Sequence, residues 1–221
     1  MMKEKITMTV MLFLILIMLP IAHGGYSVAP DLAITGEDNS IFGGATSSGD
    51  FNGDGIIDIM GGAETARTTG LPNSGGAYVI YGINNDNSEL KQSTDGVTVY
   101  GEKSLDSILD KFGISVTSGD VNGDGIDDLL IGAVQASTPR TSGPFAGAVH
   151  IIYGKPHSAG TVIDLSQTKA DVTIRGSGSP VGFGRSIAVG DVNGDKIGDI
   201  IVGIVRHATA RTSVIGRFYV F

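Results

Sequence analysis

Short apolar runs alternate with polar, glycine-rich stretches along almost the whole chain. Runs of four to six residues that carry β-branched side chains and end in glycine predict strands rather than helices. Ile59-Met60, Leu129–Ile131 and Ile200–Val202 each follow an aspartate and precede a glycine. Gly76–Gly82 and Gly147–Gly154 enclose a second kind of run, and the chain ends on a weaker copy, Gly216–Phe221. A third kind is shorter: Leu32–Gly36, Val97–Gly101 and Val172–Gly176. The stretches Asn84–Thr94 and Pro156–Lys169 are polar and read as surface loops, and a short helical turn is expected near Ser104–Lys111.

The N-terminal segment follows a different rule. Lys3 and Lys5 precede the apolar stretch Ile6–Leu19, closed by Pro20 and followed by the small residues Ala22 and Gly24. A bilayer span needs about 20 apolar residues, and this stretch is shorter. Residues 1–24 are therefore expected to be a secretory signal peptide cleaved after Gly24. The mature chain is then expected to be secreted or at the cell surface, extracellular or periplasmic, with no membrane span.

Repetition organises the rest. Phe42-Gly43, Phe112-Gly113 and Phe183-Gly184 each precede an Asp-rich loop whose first aspartate lies at the same distance after the Phe. The loops begin at Asp50, Asp120 and Asp191, a nearly constant spacing. The expected units are 25–94, 95–170 and 171–221, the last truncated. Each reads as an outer strand, the strand after Phe-Gly, the Asp loop, the Asp-apolar strand, and the Gly-Ala-Tyr-Val type strand. Four short strands per unit at this period predict an all-β protein built of β-propeller blades.

The loops carry the candidate chemistry. Each reads Asp-x-Asn-x-Asp-Gly-x-x-Asp, with Lys196 replacing the glycine in the third. Side chains at positions 1, 3 and 5, the backbone carbonyl at position 7 and the aspartate at position 9 form an all-oxygen donor set that suits Ca²⁺. The candidate ligands are Asp50, Asn52, Asp54, Ile56 and Asp58; Asp120, Asn122, Asp124, Ile126 and Asp128; and Asp191, Asn193, Asp195, Ile197 and Asp199. Up to three Ca²⁺ ions are expected, the third bound most weakly. Lys196 brings an ammonium to the carboxylates and occupies a position expected to need φ > 0. An ion-free Asp/Asn/Gly hairpin turn is the plainer alternative for a single loop. An EF-hand or dockerin loop would need an acid at position 12, where Gly61, Ile131 and Val202 stand.

Composition narrows the remaining classes. Glycine is 34 of 221 residues, as many tight turns require. There is no cysteine, so no disulfide, thiolate metal site or Cys nucleophile can exist. A formal net charge of −8 argues against nucleic acid, and three Ca²⁺ would bring it near neutrality. His23, His150, His157 and His207 lack zinc-site spacing. No Gly-x-Ser-x-Gly elbow, phosphate loop, Arg-Gly-Asp or Asn-x-Ser/Thr is present. No catalytic residue is assigned.

Phe112-Gly113 with Gly132-Ala133, and Phe42-Gly43 with Gly62-Ala63, resemble the FG-GAP repeats of integrin alpha chains. The third copy keeps Phe183-Gly184 but has Gly203-Ile204. The resemblance covers about Leu32 to Phe221. It implies an incomplete propeller or a fragment of a seven-bladed one, with calcium loops joining the first two strands of a blade. It further implies a module binding a protein or glycan at the cell surface, in the manner of cell adhesion, completed by further repeats or another chain. Similar repeats in glycosylphosphatidylinositol-specific phospholipase D keep an alternative open: an accessory propeller domain of a secreted hydrolase.

Overall fold

The computed structural model describes residues 34, 36, 40–66, 74–82, 96–102, 110–136, 146–157, 160–177, 182–206 and 215–221. The expected signal peptide, the helical turn near Ser104–Lys111 apart from its last two residues, His207 and most of the run Leu32–Gly36 lie outside them. Every described element is a strand: β1 (Phe42–Gly49), β2 (Asp58–Ala63), β3 (Gly76–Ile80), β4 (Gly96–Tyr100), β5 (Phe112–Gly119), β6 (Asp128–Ala133), β7 (Ala148–Ile152), β8 (Thr161–Asp164), β9 (Val172–Arg175), β10 (Ser186–Gly190), β11 (Asp199–Arg206) and β12 (Ile215–Val220). The all-β expectation holds among the described residues.

The strands form three sheets, ordered β1-β2-β3-β4-β8, β5-β6-β7-β9 and β10-β11-β12. Neighbours pair antiparallel except β4 and β8. These are the blades of an incomplete propeller. Sheet and sequence repeat are out of step by one strand. The Val97–Gly101 run pairs with β3, and Val172–Gly176 with β7, so each leading strand completes the blade of the preceding repeat.

One stretch differs from its sequence reading. Pro156–Lys169, expected to be a surface loop, contains β8, which leaves blade 2 and pairs parallel with β4 of blade 1 through Val97↔Thr161 to Tyr100↔Asp164. Gly160 N–H donates to Gly96 O at 2.9 Å and Leu165 N–H to Tyr100 O at 3.0 Å, while Leu165 is buried in the core. The run is short and mixes polar with apolar side chains, so pairing with an existing edge decides its conformation, not local pattern.

Packing between blades explains the repeated motif. β6 is buried along its whole length. Leu129 and Ile131 join the cluster shared with Met60, Val79 and Val97, whereas Leu130 joins the one shared with Ile200 and Val202. Alternate side chains of one strand thus serve two neighbours. Close backbone approach sets the spacing. A Cβ at Gly62 would collide with the carbonyl oxygen of Gly113, and one at Gly132 with that of Gly184. A Cβ at Gly75 or Gly147 would likewise strike the carbonyl of Phe112 or Phe183. The Phe-Gly of blades 2 and 3 therefore sits on the Gly-Ala strand of the blade before it. Gly113 and Gly184 have φ of 87° and 84°, conformations that favour glycine.

His150, expected from its strand pattern to be a blade residue, is buried in β7 with its ring 5.4 Å from Phe112. Its Nδ1 lies 3.4 Å from Thr173 Oγ1 and 4.0 Å from Glu102 Oε1, and Glu102 is held by Arg175 at 2.8 and 2.9 Å. Burial pushes its pKa down to about 4; Glu102 opposes this and Arg175 adds to it.

Two outcomes follow from this packing. Gly62→Ala and Gly132→Ala should each destabilise the protein by about 3 kcal/mol or more in urea unfolding, with Gly44→Ala, which meets only ordinary contacts, near zero. His150 is kept neutral by the fold, so the unfolded chain binds more protons below pH 6.5. Stability should be full above that pH and fall by about 3 kcal/mol as pH drops towards 4, and His150→Gln should remove that pH dependence.

Candidate functional site

The Asp loops join the first strand of each blade to the second, all at the same end. In the first, the Asp50 carboxylate closes the turn: Oδ1 accepts from the N–H groups of Gly53 (2.7 Å) and Asp54 (3.1 Å), and Oδ2 from Gly55 (2.8 Å). Asn52 Oδ1 accepts from Asp54 N–H at 2.9 Å, and Asp54 Oδ1 from Ile56 N–H at 2.8 Å. Asn52 Nδ2 donates to Asp54 Oδ2 at 2.9 Å. Short Asp and Asn side chains can reach the backbone two to five residues ahead, which is why these types recur at positions 1, 3 and 5. Asp120, Asn122 and Asp124 repeat each of these bonds in the second loop at nearly the same length.

The third loop keeps the frame formed by Asp191, Asn193 and Asp195, with Ile197 N–H donating to Asp195 Oδ1 at 2.8 Å. Lys196 stands at φ 73°, beside 82° and 86° for Gly55 and Gly125. The left-handed conformation expected at this position is therefore imposed on a non-glycine residue. Asn193 Nδ2 points to Asp199 Oδ1 (3.3 Å) rather than to position 5.

The ninth position ties the loops to their blades. Asp58 and Asp128 are fully buried. Asp58 accepts from Phe51 N–H (2.9 Å) and Gly82 N–H (2.8 Å), and Asp128 from Val121 and Gly154 N–H (both 2.9 Å). Each ties its loop to the end of its blade's third strand. Burial pushes both pKa values up against the two backbone donors, with the carboxylates at positions 5 and 1 adding to the rise. Asp199 keeps the bond from position 2, accepting from Val192 N–H (2.7 Å), and also accepts from Asn193 N–H (3.2 Å).

Successive loops also touch. Asp127 N–H donates to Asp50 O, and Asp127 Oδ2 accepts from Asp50 N–H, both at 3.0 Å. At the next junction only the backbone bond remains, Gly198 N–H to Asp120 O at 2.8 Å. The side chain of Ile126 covers Gly53 and that of Ile197 covers Gly123. Sequence reasoning missed Asp127 because position 8 reads Ile57, Asp127 and Gly198 and shows no repeat.

The donor set at positions 1, 3 and 5 fits a hard cation in its chemistry: each side chain offers an oxygen, and two of the three are carboxylates. Among the described residues, no three Asp, Glu, His or Cys side chains are gathered into one metal-holding cluster. The ninth aspartates face backbone donors. The loops are thus closed by their own hydrogen bonds, three times over.

Asp58→Asn should cost about 2 kcal/mol in EDTA, since an amide cannot accept from both Phe51 and Gly82, and Asp199→Asn, at a more exposed site, less than about 1 kcal/mol. Thermal unfolding of the two variants measures the difference.

The FG-GAP repeat family matches residues 112–152 and 183–204. Phosphatidylinositol-glycan-specific phospholipase D of Bos taurus is 29% identical over 165 residues, which is 72% of this chain and 18% of that protein. Integrin alpha-PS2 of Drosophila melanogaster is 29% identical over 186 residues, 80% of this chain and 12% of that protein. A phospholipase D of the same description from Mus musculus is 35% identical over 112 residues, covering 50% and 13%. The chain spans less than a fifth of the length of these relatives. With the Phe-Gly and Gly-Ala strands meeting at each blade junction, the chain carries FG-GAP repeats.

Proposed function

We propose that this module is a calcium-stiffened propeller segment outside the cell, presenting its other surfaces to a protein or glycan partner in the manner of adhesion. The observation that supports it is the triplicate oxygen-lined loop at one end of the blades. Three carboxylates within nine residues repel one another, and a divalent cation offsets that repulsion. Asp50, Asn52, Asp54, the Ile56 carbonyl and Asp58 would hold one ion, and the corresponding residues of the second and third loops would hold two more. The ion supplies charge neutralisation and stiffness. The protein supplies a closed turn and, through Asp58 and Asp128, an anchor to the blade.

No helix among the described residues is long and apolar enough to cross a membrane. Secretion by the segment 1–24 and a non-catalytic role belong to the same proposal. The match to phospholipase D chains favours a second reading, an accessory module of a secreted hydrolase whose chemistry lies elsewhere.

Millimolar Ca²⁺ should raise the melting temperature by about 5–10 °C over EDTA. In calorimetry, Asp195→Ala should reduce calcium affinity least among Asp54→Ala, Asp124→Ala and Asp195→Ala, because its loop binds most weakly. Equal heats with and without the substitutions would refute calcium binding. Partner capture abolished by EDTA would favour adhesion over the hydrolase reading.

A further inference from the structure

The two junctions between successive Asp loops are built from different side chains. Between the first and second loops, Asp127 holds both main-chain groups of Asp50. Its N–H donates to Asp50 O and its Oδ2 accepts from Asp50 N–H, each at 3.0 Å. Its carboxylate lies over Gly49, where a Cβ would strike it. Beside it, Ser118 Oγ donates to Ser48 O at 2.8 Å and lies 2.9 Å from Ser47 Oγ. This contact is polar and directional.

Between the second and third loops, Gly198 and Val189 stand where Asp127 and Ser118 stand before. Gly198 keeps the backbone bond to Asp120 O at 2.8 Å but has no side chain to accept from Asp120 N–H. A methyl of Val189 fills the space over both Gly119 and Gly198. Ile126 over Gly53 and Ile197 over Gly123 are common to the two junctions and do not distinguish them.

The place of Asp127 in the chain gives its contact a consequence. It stands between Ile126 and Asp128, positions 7 and 9 of the second loop, and grips Asp50, position 1 of the first. The Ile126 carbonyl and the Asp127 N–H belong to one planar trans peptide, so whatever orients that carbonyl also orients the donor to Asp50. The third loop has the same peptide link to the second through Gly198. Only Asp127 adds a carboxylate acceptor, and a hydrogen bond to an ionised acceptor is about twice as strong as a neutral one.

We propose that Asp127 is a positioning residue that couples cation binding in the first and second loops. Filling either loop raises the affinity of the other, and the third loop fills nearly independently. The coupling is reciprocal. The inference rests on the calcium reading of the loops.

Calcium titration followed by amide NMR on the full chain tests it, because each loop has its own glycine amides: Gly53 and Gly55, Gly123 and Gly125, and Gly194. Asp124→Ala, which disables the second loop, should lower the calcium affinity of the first by about 10-fold, within the ordinary range for coupled sites. Asp195→Ala should change the affinity of the second loop by about twofold or less. In an Asp127→Ala background, the effect of Asp124→Ala on the first loop should shrink to about twofold, the backbone link being all that remains. Asp127→Asn should keep most of the coupling, since its amide oxygen still accepts from Asp50 N–H. Calcium binding in the first loop that ignores Asp124→Ala, or Asp127→Asn behaving as Asp127→Ala does, would overturn the coupling and leave the calcium reading standing. Glycine signals unmoved by millimolar Ca²⁺ would overturn both.

Discussion

Backbone seated directly on backbone, with glycine on both sides, is the constraint on which the rest depends. At each junction the carbonyl of a Phe-Gly glycine lies where a side chain on the preceding blade's Gly-Ala strand would otherwise stand. That approach fixes the distance between sheets. The apolar clusters are then filled from both sides of β6, whose Leu129 and Ile131 face one neighbour and Leu130 the other. Side chains of ordinary size pack because the glycines have already set the gap. The motif is a junction motif: its two halves come from successive repeats and meet across the boundary between blades.

The Asp loops inherit their stacking from that junction. Blades held at a fixed pitch bring loop ends close enough for Asp127 to bond Asp50 through both backbone and side chain. The next junction, with Gly198, has the backbone bond alone. The loops are three similar folds with graded support. The first two are anchored by a buried aspartate to their own blade, and the third carries backbone strain at Lys196.

Much of this was legible in the sequence because it repeats. Three Phe-Gly pairs at constant distance from three Asp loops pointed to the strands, the loop frame and the left-handed position under Lys196. What did not repeat was not legible. Asp127 has no counterpart in the other loops, so nothing marked it. β8 occurs once, in a polar stretch, and takes its form from the edge of β4. The burial of Asp58 and Asp128 was hidden for another reason: an aspartate bonded by two backbone N–H groups has the same letter as one turned to solvent. The repeat frame itself named four strands per unit, but which sheet each joins depends on pairing across repeats, which periodicity alone does not carry.

The strand β8 also bears on how the chain is made. Blade 1 has its four strands once Tyr100 has left the ribosome, yet β4 remains a bare edge until Thr161–Asp164 follows. That is about 60 residues later, or several seconds at about 5–20 residues per second. For that interval Val97 and Val99 offer an open ladder to any nascent neighbour. A four-residue strand borrowed from the following repeat closes it, so blade 1 is shielded only while blade 2 is being completed.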